Sequence, residues 1–128
     1  MLTIEDFGGK VTVATPDDLD RALARRYEHA ANAFWLYPGE NAFPVMGMFV
    51  KGDVASVTYM PNEDEAGYVS EGGLDGFPAG EQSMFYIWPN EPQWVLNSSL
   101  IPMSVATEGA KELLASGALP KAIVWSKL

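Results

Sequence analysis

Apolar residues along the chain follow two spacings, one typical of β-strands and one typical of α-helices. Val54–Met60 alternates between apolar and small polar residues, and Phe43–Val50 is apolar almost throughout, as in a central strand buried on both faces. The tight turn Lys51–Asp53 joins these two segments and predicts a hairpin. The other predicted strands are residues 10–14, 33–37, 67–70, 83–88, 93–96 and 122–125.

Two segments have helical spacing. Thr15 is the candidate N-cap of the first, Pro16 suits its first turn, and an apolar stripe that includes the stem of Arg26 extends the predicted helix to about His29. The second follows Pro102, and its stripe is formed by Ala106, Ala110, Leu113 and Leu114, with Gly117 placed to end it. These elements predict an α+β fold in one domain, residues 1–128, with two main helices packed on a largely antiparallel sheet.

Charge is distributed unevenly along the chain. Seventeen carboxylates and eight lysines and arginines give a net charge of −9. No lysine or arginine lies between Lys51 and Lys111, whereas nine carboxylates do: Asp53, Glu63, Asp64, Glu65, Glu71, Asp75, Glu81, Glu91 and Glu108. One explanation is solubility, since acidic residues collect in loops. The other is an acidic surface that docks a basic protein, and direct binding of nucleic acid is disfavoured.

Few side chains could support chemistry. The chain has no cysteine and a single histidine, His29, which excludes thiolate and histidine-rich metal sites and predicts no metal and no cofactor. His29 is expected near the end of the first helix, where a cation is favoured, and a structural role is preferred. Carboxylates such as Glu63 and Glu71 could in principle act as acid and base, so a small carboxylate-dependent enzyme stays open as an alternative.

The four tryptophans divide into two pairs. Trp35 and Trp125 fall within predicted strands and are expected in the core. Trp88 and Trp94 flank a turn that contains two prolines, so one of them is a candidate anchor for a partner. The alternative is that each of these two tryptophans only covers the edge of a sheet.

The chain shows no targeting or membrane-spanning pattern. Its first residues lack the basic and apolar regions of a signal peptide, and its longest apolar run, Phe43–Val50, is eight residues. A cytoplasmic protein with no membrane contact is therefore expected.

The order of several short motifs resembles the first family of bacterial polymorphic-toxin immunity proteins, including those encoded beside secreted cytosine deaminase toxins. The motifs are Phe43-Pro44, the turn Lys51–Asp53, Thr58–Pro61, Gly67–Ser70, Pro102 before an alanine-rich helix with Lys111–Leu114, Gly117–Pro120 and Val124–Leu128. The resemblance implies a non-enzymatic protein that binds a cognate toxin domain, covers its active site and protects the producing cell.

Charge and resemblance together predict where such a toxin binds. A basic, nucleic-acid-acting toxin, a deaminase by the resemblance, would be bound by one monomer in a 1:1 complex. The expected contacts are acidic residues of the middle segment and nearby aromatic anchors: Glu63, Asp64, Glu65, Tyr68, Glu71, Asp75, Phe77 and Trp88. A self-associating adaptor domain is a further alternative.

Overall fold

The computed structural model describes residues 1–128 and contains ten strands and two α-helices. The strands are β1 (Leu2–Asp6), β2 (Gly9–Val13), β3 (Ala31–Tyr37), β4 (Val45–Lys51), β5 (Val54–Met60), β6 (Tyr68–Ser70), β7 (Gln82–Trp88), β8 (Glu91–Leu96), β9 (Leu100–Pro102) and β10 (Trp125–Lys127). The helices are α1 (Pro16–Leu23) and α2 (Met103–Ser116), and neither combines the length and apolar content that crossing a bilayer would require. The predicted α+β fold is confirmed.

Eight strands form one antiparallel sheet. Seven of them lie in the order β10-β6-β5-β4-β3-β1-β2, and β9 pairs with the part of β5 that β6 leaves free. Strand β4 is central, and all of its residues except Phe49 and Lys51 are buried, as its continuous apolar sequence predicts. The remaining strands, β7 and β8, form a separate hairpin.

Strand register places the core residues on one side of the sheet, here called the helix side. Ile4, Leu36, Met46 and Tyr59 are lateral neighbours on β1, β3, β4 and β5, so their side chains share this face. Both helices cover it with their own apolar residues and complete a cluster of 20 buried side chains. The predicted alternation along β5 is confirmed, because Ala55, Val57 and Tyr59 belong to this cluster and Ser56 and Thr58 do not.

The β7–β8 hairpin covers the opposite side, here called the hairpin side. Trp35, Gly47, Thr58 and Val69 are lateral neighbours there. A Cβ at Gly47 would lie 2.8 Å from Trp35 Cζ3, so glycine is needed for the indole to cross β4. Phe85 of β7 is fully buried, which anchors the hairpin against the sheet.

Helix α1 is shorter than predicted. It begins as expected, since the Thr15 hydroxyl accepts from the Asp18 amide, but it ends at Leu23 rather than near His29. The Arg26 side chain is the reason: its guanidinium donates to the backbone carbonyls of Leu23 and Gly52 and so caps the helix end. Burial lowers the pKa of this guanidinium below its usual value.

Three further details differ from the sequence prediction. Strand β1 was not predicted, although Leu2 and Ile4 alternate with polar residues. The last strand is Trp125–Lys127 rather than residues 122–125, because Ile123 turns into the core before pairing begins. Strand β8 begins at Glu91, so the hairpin turn contains only Pro89 and Asn90, with Asn90 in the left-handed region at φ 63°.

Candidate functional site

The predicted acidic loop lies at the end of β5. Glu63, Asp64 and Glu65 are all exposed, and the Asn62 side chain fixes the loop by accepting from the amides of Asp64 and Glu65 at 2.9 and 3.0 Å. Because the loop backbone is held in this way, the three carboxylates project from a defined turn.

Tyr68, the first residue of β6, and Glu71, which follows the strand, have different surroundings. Tyr68 pairs with Tyr59 and packs against the core on the helix side, where it is half-buried. Burial first, and the neighbouring Tyr68 second, raise the pKa of Tyr59 above its usual range. Glu71 is exposed and lines a cavity of about 490 Å³ between the sheet and β8.

The other predicted contacts lie around the β7–β8 hairpin. Asp75 is exposed, and Phe77 lines a cavity of about 400 Å³ beside β7 and β8. Trp88 lies at the hairpin end and lines a third cavity of about 50 Å³. Glu71, Phe77 and Trp88 therefore border different depressions, and the predicted residues form a dispersed set rather than one patch.

Most carboxylates of the middle segment have no cationic partner. Of the nine, only Glu108 forms an ion pair, and its partner is Lys111. The pKa of Lys111 is raised, mainly by the hydrogen bond that its ammonium donates to Asp20. The other eight are all exposed and form no ion pair: Asp53, Glu63, Asp64, Glu65, Glu71, Asp75, Glu81 and Glu91. Their charge is therefore not cancelled by local ion pairs, and it makes the surrounding surface negative.

The hairpin also exposes large apolar side chains. Trp88 is 56% exposed, Trp94 57%, Leu96 55% and Ile87 36%. An indole carries roughly 150–250 Å² of surface, so leaving more than half of it in water forgoes about 2–3 kcal/mol of burial energy. Two such residues on one hairpin mark this region as a candidate contact surface.

The two exposed tryptophans differ in their contacts. Trp88 packs edge-to-face on Phe7, with ring centroids 6.0 Å apart. Trp94 is the cross-strand partner of Met84, and both line the 400 Å³ cavity with Phe77. Only Trp94 adjoins a cavity that could admit a large side chain of a partner.

The 490 Å³ cavity lies on the other side of β8. Its apolar lining is supplied by Phe49, Val69, Val95, Leu96 and Leu128. It ends at a serine cluster that joins β5 and β6 to the segment before β9, in which the Ser56 and Ser99 hydroxyls are 2.7 Å apart and the Ser70 hydroxyl donates to the Ser99 carbonyl. These buried serines satisfy one another where β5 changes its pairing partner from β6 to β9, so we assign them a structural role.

The predictions for the other tryptophans and for His29 need correction. Trp35 and Trp125 are half-buried rather than in the core. His29 lies outside α1 with φ 63°, because the helix has already ended. Its ring stacks on Tyr86 at 4.6 Å between centroids, and its Nε2 lies 3.4 Å from the Asn90 side-chain oxygen, so it links the sheet to the hairpin turn.

The sequence makes Trp94 an alternative anchor to Trp88, and it predicts no role for Leu96 or Met84. Alternation within β8 places Trp94 and Leu96 on one face, and this pattern was a usable signal. Their exposure depends on how the hairpin sits on the sheet, which is a tertiary property. No group of three or more histidine and acidic side chains in the structure is arranged to hold a metal ion.

Comparison with known proteins places the chain in a family. No profile of a known protein family matches it. The chain is 30% identical over 125 residues to the double-stranded DNA deaminase immunity protein of Burkholderia cenocepacia strain H111, and the alignment covers 97% of this chain and 98% of that protein. The resemblance to immunity proteins of deaminase toxins is thereby confirmed, whereas membership of the first immunity family stays a prediction. The chain belongs to the family of deaminase immunity proteins.

Proposed function

We propose that this chain is a non-catalytic immunity protein that binds a cognate nucleic-acid deaminase toxin and covers the entrance to its active site. The observation that carries the proposal is the relationship to a deaminase immunity protein over nearly the whole of both chains. The proposal includes action as a single 128-residue domain, in the cytoplasm of the producing cell, as a monomer in a 1:1 complex.

The negative surface supports this role. An enzyme that acts on DNA or RNA needs cationic side chains along its substrate cleft, and the same side chains attract carboxylates. Eight exposed carboxylates without ion pairs are available in the middle segment of this chain. They would orient the two proteins before close contact, and buried aromatic anchors would then slow dissociation.

Occlusion requires no contact with the catalytic centre. A deaminase acts on a base that is single-stranded or flipped into a pocket, so blocking the pocket entrance prevents reaction. Our proposed contact set contains the acidic residues Glu63, Asp64, Glu65, Glu71 and Asp75 with the aromatic residues Tyr68, Phe77 and Trp88.

Titrating the purified chain against the deaminase domain encoded beside it tests the proposal. We expect deamination of a cytosine-containing DNA substrate to fall to background at one equivalent, and co-expression to restore growth. A control protein of equal size and net charge should not inhibit, because charge alone lacks the shaped contact. Full activity in the presence of excess chain would refute the proposal, and deamination by the chain itself would favour an enzyme instead.

A further inference from the structure

One surface combines two exposed and two half-buried apolar side chains with surrounding negative charge. It is formed by Phe77, Met84, Trp94 and Leu96 and is called here the hairpin surface. The pairs Met84–Trp94 and Gln82–Leu96 are two residues apart along the hairpin, so these side chains share one face.

The hairpin surface separates two cavities. In the neighbouring pairs Gln82–Leu96 and Ser83–Val95, the β7 member lines the 400 Å³ cavity and the β8 member lines the 490 Å³ cavity. The base of the hairpin is therefore a ridge with a depression on either side. A partner with a cleft and two rims could receive such a ridge.

Acidic residues border this ridge. Asp53, Asp75 and Glu81 each lie within two residues of a side chain that lines the 400 Å³ cavity, and Glu71 lines the other. All four are exposed and form no ion pair. The one lysine in the cavity, Lys51, is half-buried, and its ammonium donates to the Met84 carbonyl at 3.4 Å.

An apolar centre with an anionic border is complementary to a cationic cleft that contains apolar pockets. We propose that the hairpin surface enters the substrate cleft of the deaminase toxin, with Trp94 as the central anchor. This inference rests on the proposed function, and it assigns the main contact to Trp94, which the sequence offers as an alternative anchor to Trp88 but which is not in the predicted contact set. Trp88 has the peripheral role, since Phe7 already packs against its ring in a T-shaped arrangement and only about 50 Å³ of cavity adjoins it.

The two tryptophans provide a matched pair of variants for the test. Trp94→Ala and Trp88→Ala each remove one indole that is more than half exposed, from the same hairpin. We expect Trp94→Ala to weaken binding to the same deaminase domain about 30-fold or more, and Trp88→Ala to weaken it only a few-fold. Urea unfolding of both free variants checks that the fold is intact. Should Trp94→Ala fail to fold, Trp94→Gln, which keeps a long side chain, replaces it.

The possible outcomes separate the inference from the proposed function. If the wild-type chain inhibits the deaminase but Trp94→Ala inhibits it equally well, or if Trp88→Ala has the larger effect, the inference is wrong and the function stands. If the wild-type chain neither binds nor inhibits, the function itself fails. Sedimentation of the chain alone tests whether a second copy binds the hairpin surface instead. A dimer that the Trp94→Ala substitution dissociates would assign the surface to self-association and overturn the inference.

Discussion

The two sides of the central sheet are built differently. On the helix side, α1 and α2 bury a continuous cluster of 20 side chains, and Phe34, Leu36 and Met48 are fully inaccessible. On the hairpin side, the sheet residues Trp35 and Phe49 are only half-buried, and the covering element leaves Trp94 mostly in water. The helix side therefore accounts for folding, and the hairpin side retains apolar surface that folding does not use.

Charge follows the same division. Three of the five acidic side chains on the helices form ion pairs, as in Arg21–Asp18 and Lys111–Asp20. Carboxylates near the hairpin, such as Glu71, Glu81 and Glu91, form none. Unused apolar surface and unpaired charge on the same side are properties of a binding surface rather than of a folding core.

Truncation of a core residue gives the largest difference between the two sides. Phe34→Ala should lower the free energy of unfolding by about 3–5 kcal/mol, because Phe34 is fully buried on the helix side. Trp94→Ala, although it removes a larger side chain, should lower it by about 1 kcal/mol or less, since the indole is mostly exposed. Urea unfolding followed by circular dichroism measures both, and equal losses would contradict the division.

Charge reversal in the acidic loop tests the negative surface. Changing Glu63, Asp64 and Glu65 to lysine should slow association with the deaminase domain about tenfold at low ionic strength and reduce its salt dependence, with folding unchanged. The control variant reverses Asp17, Glu28 and Glu40, which are also exposed and change the net charge equally.

Stopped-flow association rates across a salt series compare these two variants. A slower rate only for the loop variant supports a directed field. If both variants associate more slowly than the wild-type chain and to the same extent, net charge alone matters. If the loop variant associates as fast as the wild-type chain and still protects fully, the loop does not belong to the contact set.

The smallest expected effect is on the free energy of unfolding at alkaline pH. Because burial raises the pKa of Tyr59, the unfolded chain releases this phenolic proton at a lower pH than the folded chain does. The stabilisation is complete below the ordinary tyrosine pKa near 10 and is lost as pH rises through the higher folded pKa. Tyr59→Phe should therefore flatten the fall of unfolding free energy above pH ~10. If the unfolding free energy falls equally steeply with pH in both proteins, another titrating group controls this pH dependence.

Local pattern predicted the helix side of the fold well. The alternation in β5, the N-cap of α1 and the C-cap of α2 are encoded by neighbouring residues, and Gly117 adopts φ 70° as its place after α2 requires. The end of α1 could not be predicted in this way, because the Arg26 guanidinium that caps the Leu23 carbonyl is also held by the Gly52 carbonyl, 26 residues from Arg26. Burial of Ser56 likewise depends on Ser99, which lies 43 residues further along the chain.

The candidate site was predicted less completely for the same reason. Acidic composition identified the middle segment, and exposure of its carboxylates agrees with that interpretation. What distinguishes the two equally exposed tryptophans is Phe7, a residue from the other end of the chain that packs on Trp88 and not on Trp94. Sequence spacing within the hairpin contains no information about that contact.

Hydrogen–deuterium exchange of the chain alone and in complex with the deaminase domain tests the division between the two sides most directly. We expect slower exchange on binding in residues 75–77 and 82–96, with the peptides of α1 and α2 unchanged. Slower exchange confined to the helices, with the hairpin exchanging as it does in the free chain, would contradict it.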